Sequence, residues 1–337
     1  MEIKQVQETK PTSKLIHIDE NTNIPLLGLI HVGIVDRGSS LLQVRASTYC
    51  NMKCTFCSTS ANSPTHEYNY DIELSYLMLW IRETINLKDN FVNQINIDSV
   101  GEPSAYPKII ELVKQCKSLP GMEYITMQSN GTLLTQQRIL DLASAGLSRI
   151  NLSIHSLLPD QAMELFGSKN YRLDKIKEVC KWINGSSIEL NITPVYLPSV
   201  NDSQIDSLIE FAKELKCKIS IQKYEVYRYS RKDKRVKLQN WYKFYKKLDE
   251  LEKEHNYKLK LGPTDFKINR SKHVPLLMNR GDIVTAEIIM PGWMKGEMIA
   301  RYNNRCITIF DCDKNIGEKI KIRILETKDG IYLAKKV

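Results

Sequence analysis

Between Leu41 and Tyr227 the chain alternates strand-like and helix-like runs six times. "LLQVRAS" (Leu41 to Ser47), "VNQINIDSV", "EYITMQS", "SRINLSIHS", "IELNITPVYL" and "KISIQKYEVY" are short and rich in β-branched and aromatic residues. Helical runs lie between them. In "NDSQIDSLIEFAKEL" the apolar residues Ile205, Leu208, Ile209, Ala212 and Leu215 recur at helical spacing. "DIELSYLMLWIRETINL" reads as a helix with Asp71 as its N-cap. A helix after each strand must carry the chain back across the sheet, so the strands run parallel. Six such units define an α/β fold, a partial (β/α)6 TIM-like barrel that stops short of the eight units of a closed one. The loops that follow the strands then share one sheet edge, where folds of this kind bind ligands.

The flanks read differently. Residues 1–40 form an N-terminal extension of irregular character, and 41–227 the (β/α)6 core. Residues 228–279 hold a basic helix marked by Trp241, Phe244, Leu248 and Leu251, then a linker, "GPTDFKINRSKHVP". In 280–337 long helical periods vanish. "GDIVTAEIIM", "GEMIARY", "RCITIF", "GEKIKIRIL" and "GIYLAKKV" are short strands separated by Gly, Asn and Asp. Five of them predict a small five-stranded β-barrel of the oligonucleotide-binding kind.

Composition narrows the setting. With 337 residues and 42% apolar side chains, the chain can bury a large core. The polar, mixed-charge start "MEIKQVQETKPTSK" does not read as a signal peptide. "IPLLGLIHVGIV" is too short and too interrupted to span a bilayer. Cys116, Cys180, Cys217, Cys306 and Cys312 are scattered, unlike a secreted disulfide framework. These features predict a soluble cytoplasmic protein with no membrane partner. The net charge is +9, and Arg228 to Lys272 carries fifteen Lys/Arg against six Asp/Glu, a surplus equal to that of the whole chain. Such a block either attracts a polyanion or forms a solvated helix face.

The other three cysteines, Cys50, Cys54 and Cys57, fall within "TYCNMKCTFCSTS", the loop after the first strand. A zinc site needs four ligands, and His66 lies at no familiar spacing for the fourth. A four-iron cube is held by thiolates at its corners, so three cysteines leave one iron open to a small molecule.

The spacing C-x3-C-x2-C, with Phe56 before the last cysteine, resembles the signature of radical S-adenosylmethionine (SAM) enzymes, and the resemblance extends over roughly Leu41 to Tyr227. It implies a [4Fe-4S] cluster on Cys50, Cys54 and Cys57, with SAM chelating the open iron. It also implies one-electron cleavage of SAM to methionine and a 5′-deoxyadenosyl radical that takes a hydrogen atom from substrate, and an external donor of ferredoxin or flavodoxin type. "SVGEP" is similar to the family's glycine-glycine-glutamate-proline motif, with Val100 in place of the first glycine. Gly101, Glu102 and Pro103 would then meet the methionine amino group. The same resemblance assigns Ser129 and Asn130 to the loop under the cofactor, Ser153 and His155 to ribose and carboxylate, and Gln222 to the adenine side. For His155 a satisfied buried histidine is the competing reading.

The C-terminal strands are similar to a TRAM domain, an RNA-binding module. With the basic segment, this implies a nucleoside in tRNA or rRNA as substrate, and Arg228, Arg231, Lys232, Arg235, Arg301, Arg305 and Lys321 as RNA contacts. No residue context matches a methyltransferase extension, which leaves room for a partner enzyme subunit. Two other readings stand beside this one. In the first, the enzyme acts on a small metabolite or peptide and the barrel holds a partner. In the second, the protein is a non-catalytic RNA-binding protein with an iron–sulfur or zinc site.

Overall fold

The structure is a computed structural model and describes residues 13–63 and 66–337. Two strands precede the first expected one, β1 (Lys14–Ile18) and β2 (Gly33–Asp36). The parallel series follows: β3 (Leu41–Arg45), β4 (Tyr68–Ile72), α1 (Leu74–Leu87), β5 (Gln94–Ile97), α2 (Ile109–Lys117), β6 (Tyr124–Ser129), α3 (Gln136–Ser144), β7 (Arg149–Leu152), α4 (Pro159–Phe166), α5 (Leu173–Asn184), β8 (Glu189–Ile192), β9 (Val195–Tyr196), α6 (Asp202–Glu214), β10 (Lys218–Ile219) and β11 (Gln222–Lys223). The main sheet has the order β10-β8-β7-β6-β5-β3-β2. Its first six strands pair in parallel, as the alternation requires, and β2 closes the edge antiparallel to β3. Each helix lays an apolar stripe on the sheet. In α5 these are Ile176, Val179, Cys180 and Ile183.

Three sequence expectations need correction. The extension is not irregular, because Ile24 to Val35 contributes seven buried apolar side chains and β2. Its strand period is hidden by Gly28 and Gly33, which hold φ of 110° and 95°. Asp71 is not a helix cap. It lies in β4, which pairs in parallel with β1, and α1 starts after Glu73. The fifth and sixth strands each break in two, so that β9 pairs with β11 apart from the main sheet.

After α7 (Trp241–His255) the expected linker proves to be a strap across the N-terminal ends of the strands. Gln94 Nε2 donates to the carbonyls of Phe266 (3.1 Å) and Lys267 (2.7 Å), and Ser40 N to that of Asn269 (2.8 Å). The Arg149 guanidinium lies 4.5 Å over the Phe266 ring. Fully buried Lys88 donates to Asp36 Oδ1 (2.7 Å) and to the Lys272 carbonyl (2.5 Å).

The last five strands, β12 (Ile283–Pro291), β13 (Met298–Tyr302), β14 (Arg305–Phe310), β15 (Lys319–Glu326) and β16 (Leu333–Lys336), close into a barrel of order β12-β13-β14-β16-β15. Only β14 and β16 pair in parallel. The barrel has its own core, including Ile288, Ile307, Ile322 and Tyr332. It is also fused to the N-terminal segment. Cys306 N donates to the Leu27 carbonyl (2.8 Å), and a Cβ on Gly28 would stand 2.1 Å from the Cys306 oxygen. Met290, Trp293 and Ile299 pack into the main core. Among the described residues no helix is long and apolar enough to cross a membrane.

Candidate functional site

The cysteine loop leaves β3 at the C-terminal edge of the sheet and is held from three sides. Asn62 Nδ2 donates to the carbonyls of Cys50 (2.5 Å) and Met52 (2.9 Å). Lys53 N and Thr55 N donate to the carbonyls of Phe166 and Leu165, so the loop satisfies acceptors that the end of α4 leaves open. Gly167 permits this approach, since a Cβ there would lie 2.2 Å from the Lys53 oxygen and its φ is +61°. On the third side Arg231 donates from its backbone N to the Cys57 carbonyl (2.7 Å), from Nη1 to that of Cys54 (2.7 Å) and from Nη2 to that of Ala61 (2.8 Å).

The loops after β5 and β6 meet beneath the cysteines. Gly101 passes so close to the cysteine loop that a Cβ would stand 2.0 Å from the Tyr49 oxygen and 2.6 Å from that of Thr48. That contact leaves no room for a side chain at Gly101, while Val100 is buried and offers its carbonyl to Thr59 Oγ1 (2.6 Å). Glu102 turns its carboxylate inward. Oε1 accepts from Ser104 N, Ser104 Oγ and Ser129 Oγ, and Oε2 from Asn130 N (2.7 Å). Burial pushes this carboxyl up, and the four donors work against the shift. Asn130 Nδ2 reaches Asn51 Oδ1 (2.9 Å) inside the cysteine loop, tying the third loop to the first.

His155 is buried and neutral. Its Nδ1 accepts from Val195 N (3.0 Å), and burial lowers its pKa to about 3. The ring meets Phe56 edge-on at 4.7 Å and lies 5.0 Å from Phe166. The competing sequence reading is therefore met at Nδ1, while Nε2 carries the proton.

One open cleft of about 540 Å³ collects all twelve residues expected to hold the cluster and SAM: Cys50, Cys54, Cys57, Phe56, Gly101, Glu102, Pro103, Ser129, Asn130, Ser153, His155 and Gln222. Its wall also contains residues that sequence reasoning missed. Arg45 forms a two-pronged pair with Asp98 (2.9 and 3.1 Å), beside Gln43. Lys223 pairs with Glu225 (2.7 Å), next to Tyr227. The available signal was a charged residue at the C-terminal end of a buried strand, as Arg45 is in β3.

The expected RNA contacts divide. Arg228, Lys232 and Lys321 are exposed. Arg305 is a correction: it is buried, with Nη2 on the Pro275 carbonyl (3.1 Å), because it fills the seam between barrel and strap. Arg231 is another, being spent on the cysteine loop. Arg235 is tied to Asp233 and Glu164, and Arg301 to Glu287 and the Asn23 carbonyl.

The cysteines fit a cluster better than a single ion. A tetrahedral zinc would draw its sulfurs to roughly 3.8 Å from one another. Among the described residues, the one set of three potential ligands within 4.8 Å is Asp206, Glu254 and His255, so the three thiols are spread more widely than that. His66 does not join them; it is buried against Trp293, with ring centroids 4.6 Å apart. Burial raises the Cys50 thiol to about 12 and lifts Cys54 as well, an effect that ligation of the thiolates to iron would reverse.

A three-cysteine loop at the mouth of a (β/α)6 arc defines a class of cofactor-dependent α/β enzymes, and comparison with known proteins identifies it. The sequence profile of the Radical SAM superfamily matches residues 44–212. An uncharacterized protein of Methanocaldococcus jannaschii is 33% identical over 96% of this chain and 81% of its own length. The GTP 3',8-cyclase of Aquifex aeolicus is 26% identical over 54% of this chain and 55% of its own. Among solved structures, SuiB of Streptococcus suis bound to S-adenosylmethionine shares the fold, with TM-score 0.52 and 24% identity over 66% of this chain and 49% of SuiB. The chain thus spans about half the length of the cyclase and of SuiB. It belongs to the radical SAM superfamily and is an enzyme that uses a [4Fe-4S] cluster and SAM.

Proposed function

We propose that this radical SAM enzyme modifies a nucleoside in RNA, tRNA first and rRNA second. Cys50, Cys54 and Cys57 would hold the cluster, and the backbone of Gly101 to Pro103 would receive the methionine amino group of SAM. Together the two cofactors supply one-electron cleavage of the sulfonium and abstraction of a hydrogen atom. The chain's own residues bind and orient. Ser129 and Asn130 would line the cofactor floor, Ser153 and the Nε2 proton of His155 would meet ribose and carboxylate, Gln222 would lie on the adenine side, and Phe56 braces the cysteine loop edge-on against His155.

The observation that carries the RNA reading is the barrel's place beside the cleft. Arg37 of the cleft wall pairs with Asp329 of the barrel (2.6 Å), and Arg228, next to cleft residue Tyr227, lies 3.9 Å over the barrel's Phe310 ring. A closed five-stranded barrel with one parallel pair is consistent with the TRAM-like, oligonucleotide-binding reading. On β15, exposed Lys319, Lys321 and Arg323 alternate with buried isoleucines. Beyond the cleft, α7 exposes Trp241, Tyr242 and Tyr245 among lysines, a surface suited to stacking bases and holding phosphates.

The test deletes the gene and compares digested tRNA and rRNA nucleosides by mass spectrometry. Loss of one nucleoside supports the reading, and unchanged profiles overturn it. A second reading, a free nucleotide as substrate, is favoured by the relatives named as GTP 3',8-cyclases. It predicts turnover with a mononucleotide and no salt-sensitive binding of RNA.

A further inference from the structure

A radical SAM enzyme must receive one electron per cleavage from outside, and electron transfer falls off steeply with distance. The useful question is therefore which surface lies closest over the cysteine loop. The cleft's lining ends at Tyr227. The segment from Arg228 to Lys237, outside that lining, runs from β11 to α7 and lies against the loop.

That segment alternates. Ser230 and Arg231 turn inward: Ser230 Oγ donates to the Ser58 carbonyl (3.1 Å), and Arg231 makes its three bonds to the loop. Lys232 and Lys234 turn outward and are exposed. Neither has an ion-pair partner among the described residues. The nearby acids are already used, since Asp233 and Glu164 both pair with Arg235. Two more exposed lysines, with no ion-pair partner among the described residues, border the same loop. Lys53 lies within it, between Cys50 and Cys54, and Lys169 follows the Gly167 turn that touches Lys53. Among the described residues, four cations without an ion pair thus border the cluster loop, and the nearest acids, Asp233 and Glu164, are taken up by Arg235.

We propose that this patch is the docking surface for a small acidic electron-carrier protein. The carrier's carboxylates would meet Lys53, Lys169, Lys232 and Lys234, and the path inward is one residue long, from Lys232 through the Arg231 N–H to the Cys57 carbonyl. One electron leaves the reduced carrier and enters the oxidised cluster, so the carrier is oxidised by one and the cluster reduced by one, with no bond or proton exchanged. Charge complementarity of this kind speeds encounter and makes it sensitive to salt. The proposal does not depend on which substrate the cleft takes.

The experiment uses the cluster-loaded full chain with two acidic carriers, a reduced flavodoxin and a reduced ferredoxin. Photoreduced deazaflavin serves as a small reductant that needs no docking surface. Carrier binding is read by fluorescence anisotropy and cluster reduction by stopped-flow absorbance. Lys169→Glu/Lys232→Glu/Lys234→Glu is expected to weaken carrier binding and slow carrier-driven reduction by about tenfold or more. Reduction by deazaflavin should stay unchanged, which also shows that the variant has folded and holds its cluster. The matching triple Lys→Gln variant should lose less, in the same direction. The proposal is overturned if neither carrier binds the wild-type chain, or if the charge reversal leaves carrier-driven reduction intact. It is likewise overturned if the reversal removes binding of a single-stranded oligonucleotide and spares the carrier.

Discussion

Ser129 Oγ donates to Glu102 Oε1 at 2.8 Å, joining the loops after β5 and β6 under the cleft floor. Glu102 is fully enclosed and meets only donors. Glu102→Gln turns one acceptor into an NH2 group facing N–H and O–H groups. The expected loss is about 2–3 kcal/mol of stability, with weaker SAM binding. Thermal melts and calorimetric titration with SAM check both.

Gly101→Ala places a methyl group where the Tyr49 carbonyl stands. The cysteine loop must shift to admit it, at about 1–3 kcal/mol. We expect a lower melting temperature and reduced iron retention. Wild-type iron content and stability in this variant would disprove the close approach.

Cys54→Ala removes one of three thiolates. The protein reconstituted without oxygen should bind much less iron and sulfide and form no 5′-deoxyadenosine. Iron and sulfide assays with chromatography of the nucleoside decide it, and persistent formation would mean that the ligand set is wrong.

Lys88→Met tests the strap. The change removes the close cation from buried Asp36, whose carboxylate still accepts from Gly38 N and Val274 N and lies 3.7 Å from His273 Nδ1. Breaking a buried pair from one side costs about 3–5 kcal/mol. Denaturant unfolding should show that drop, and a loss under about 1 kcal/mol would contradict the buried-pair account.

His255 supplies a pH dependence. Burial alone would lower its pKa, but hydrogen bonds to Asp206 (2.8 Å) and Glu210 (2.7 Å) outweigh it, and the net shift is upward from 6.5. A group that holds its proton more tightly when folded contributes stability fully present below its unfolded pKa, and that stability fades as pH rises through the folded value. The difference in melting temperature between wild type and His255→Gln should be largest near about pH 5.5 and shrink by about pH 8.5. A difference that grew with pH would reverse the assignment.

Much of the site could be read because topology leaves little choice. Cys54, Glu102, Ser129 and His155 lie at or just after the C-terminal ends of β3, β5, β6 and β7, four neighbouring parallel strands whose ends share one edge. Arg231 could not be read. Its composition says basic surface, yet its partners Cys54 and Ala61 lie more than 160 positions away, and only folding shows its charge turned inward. Arg305 failed for the same reason, and β2 was hidden because glycines at positive φ break its period.

By itself, the order of residues determined the parallel arc, the closed barrel and the three-thiolate loop. These depend on local periodicity and on spacing within a dozen residues. Only the tertiary structure decided which cations are free, which are tied, and that the strap and barrel fuse to the core. Those outcomes depend on burial and pairing between segments far apart in the chain, where desolvation makes a charge seek one partner and no local pattern names it.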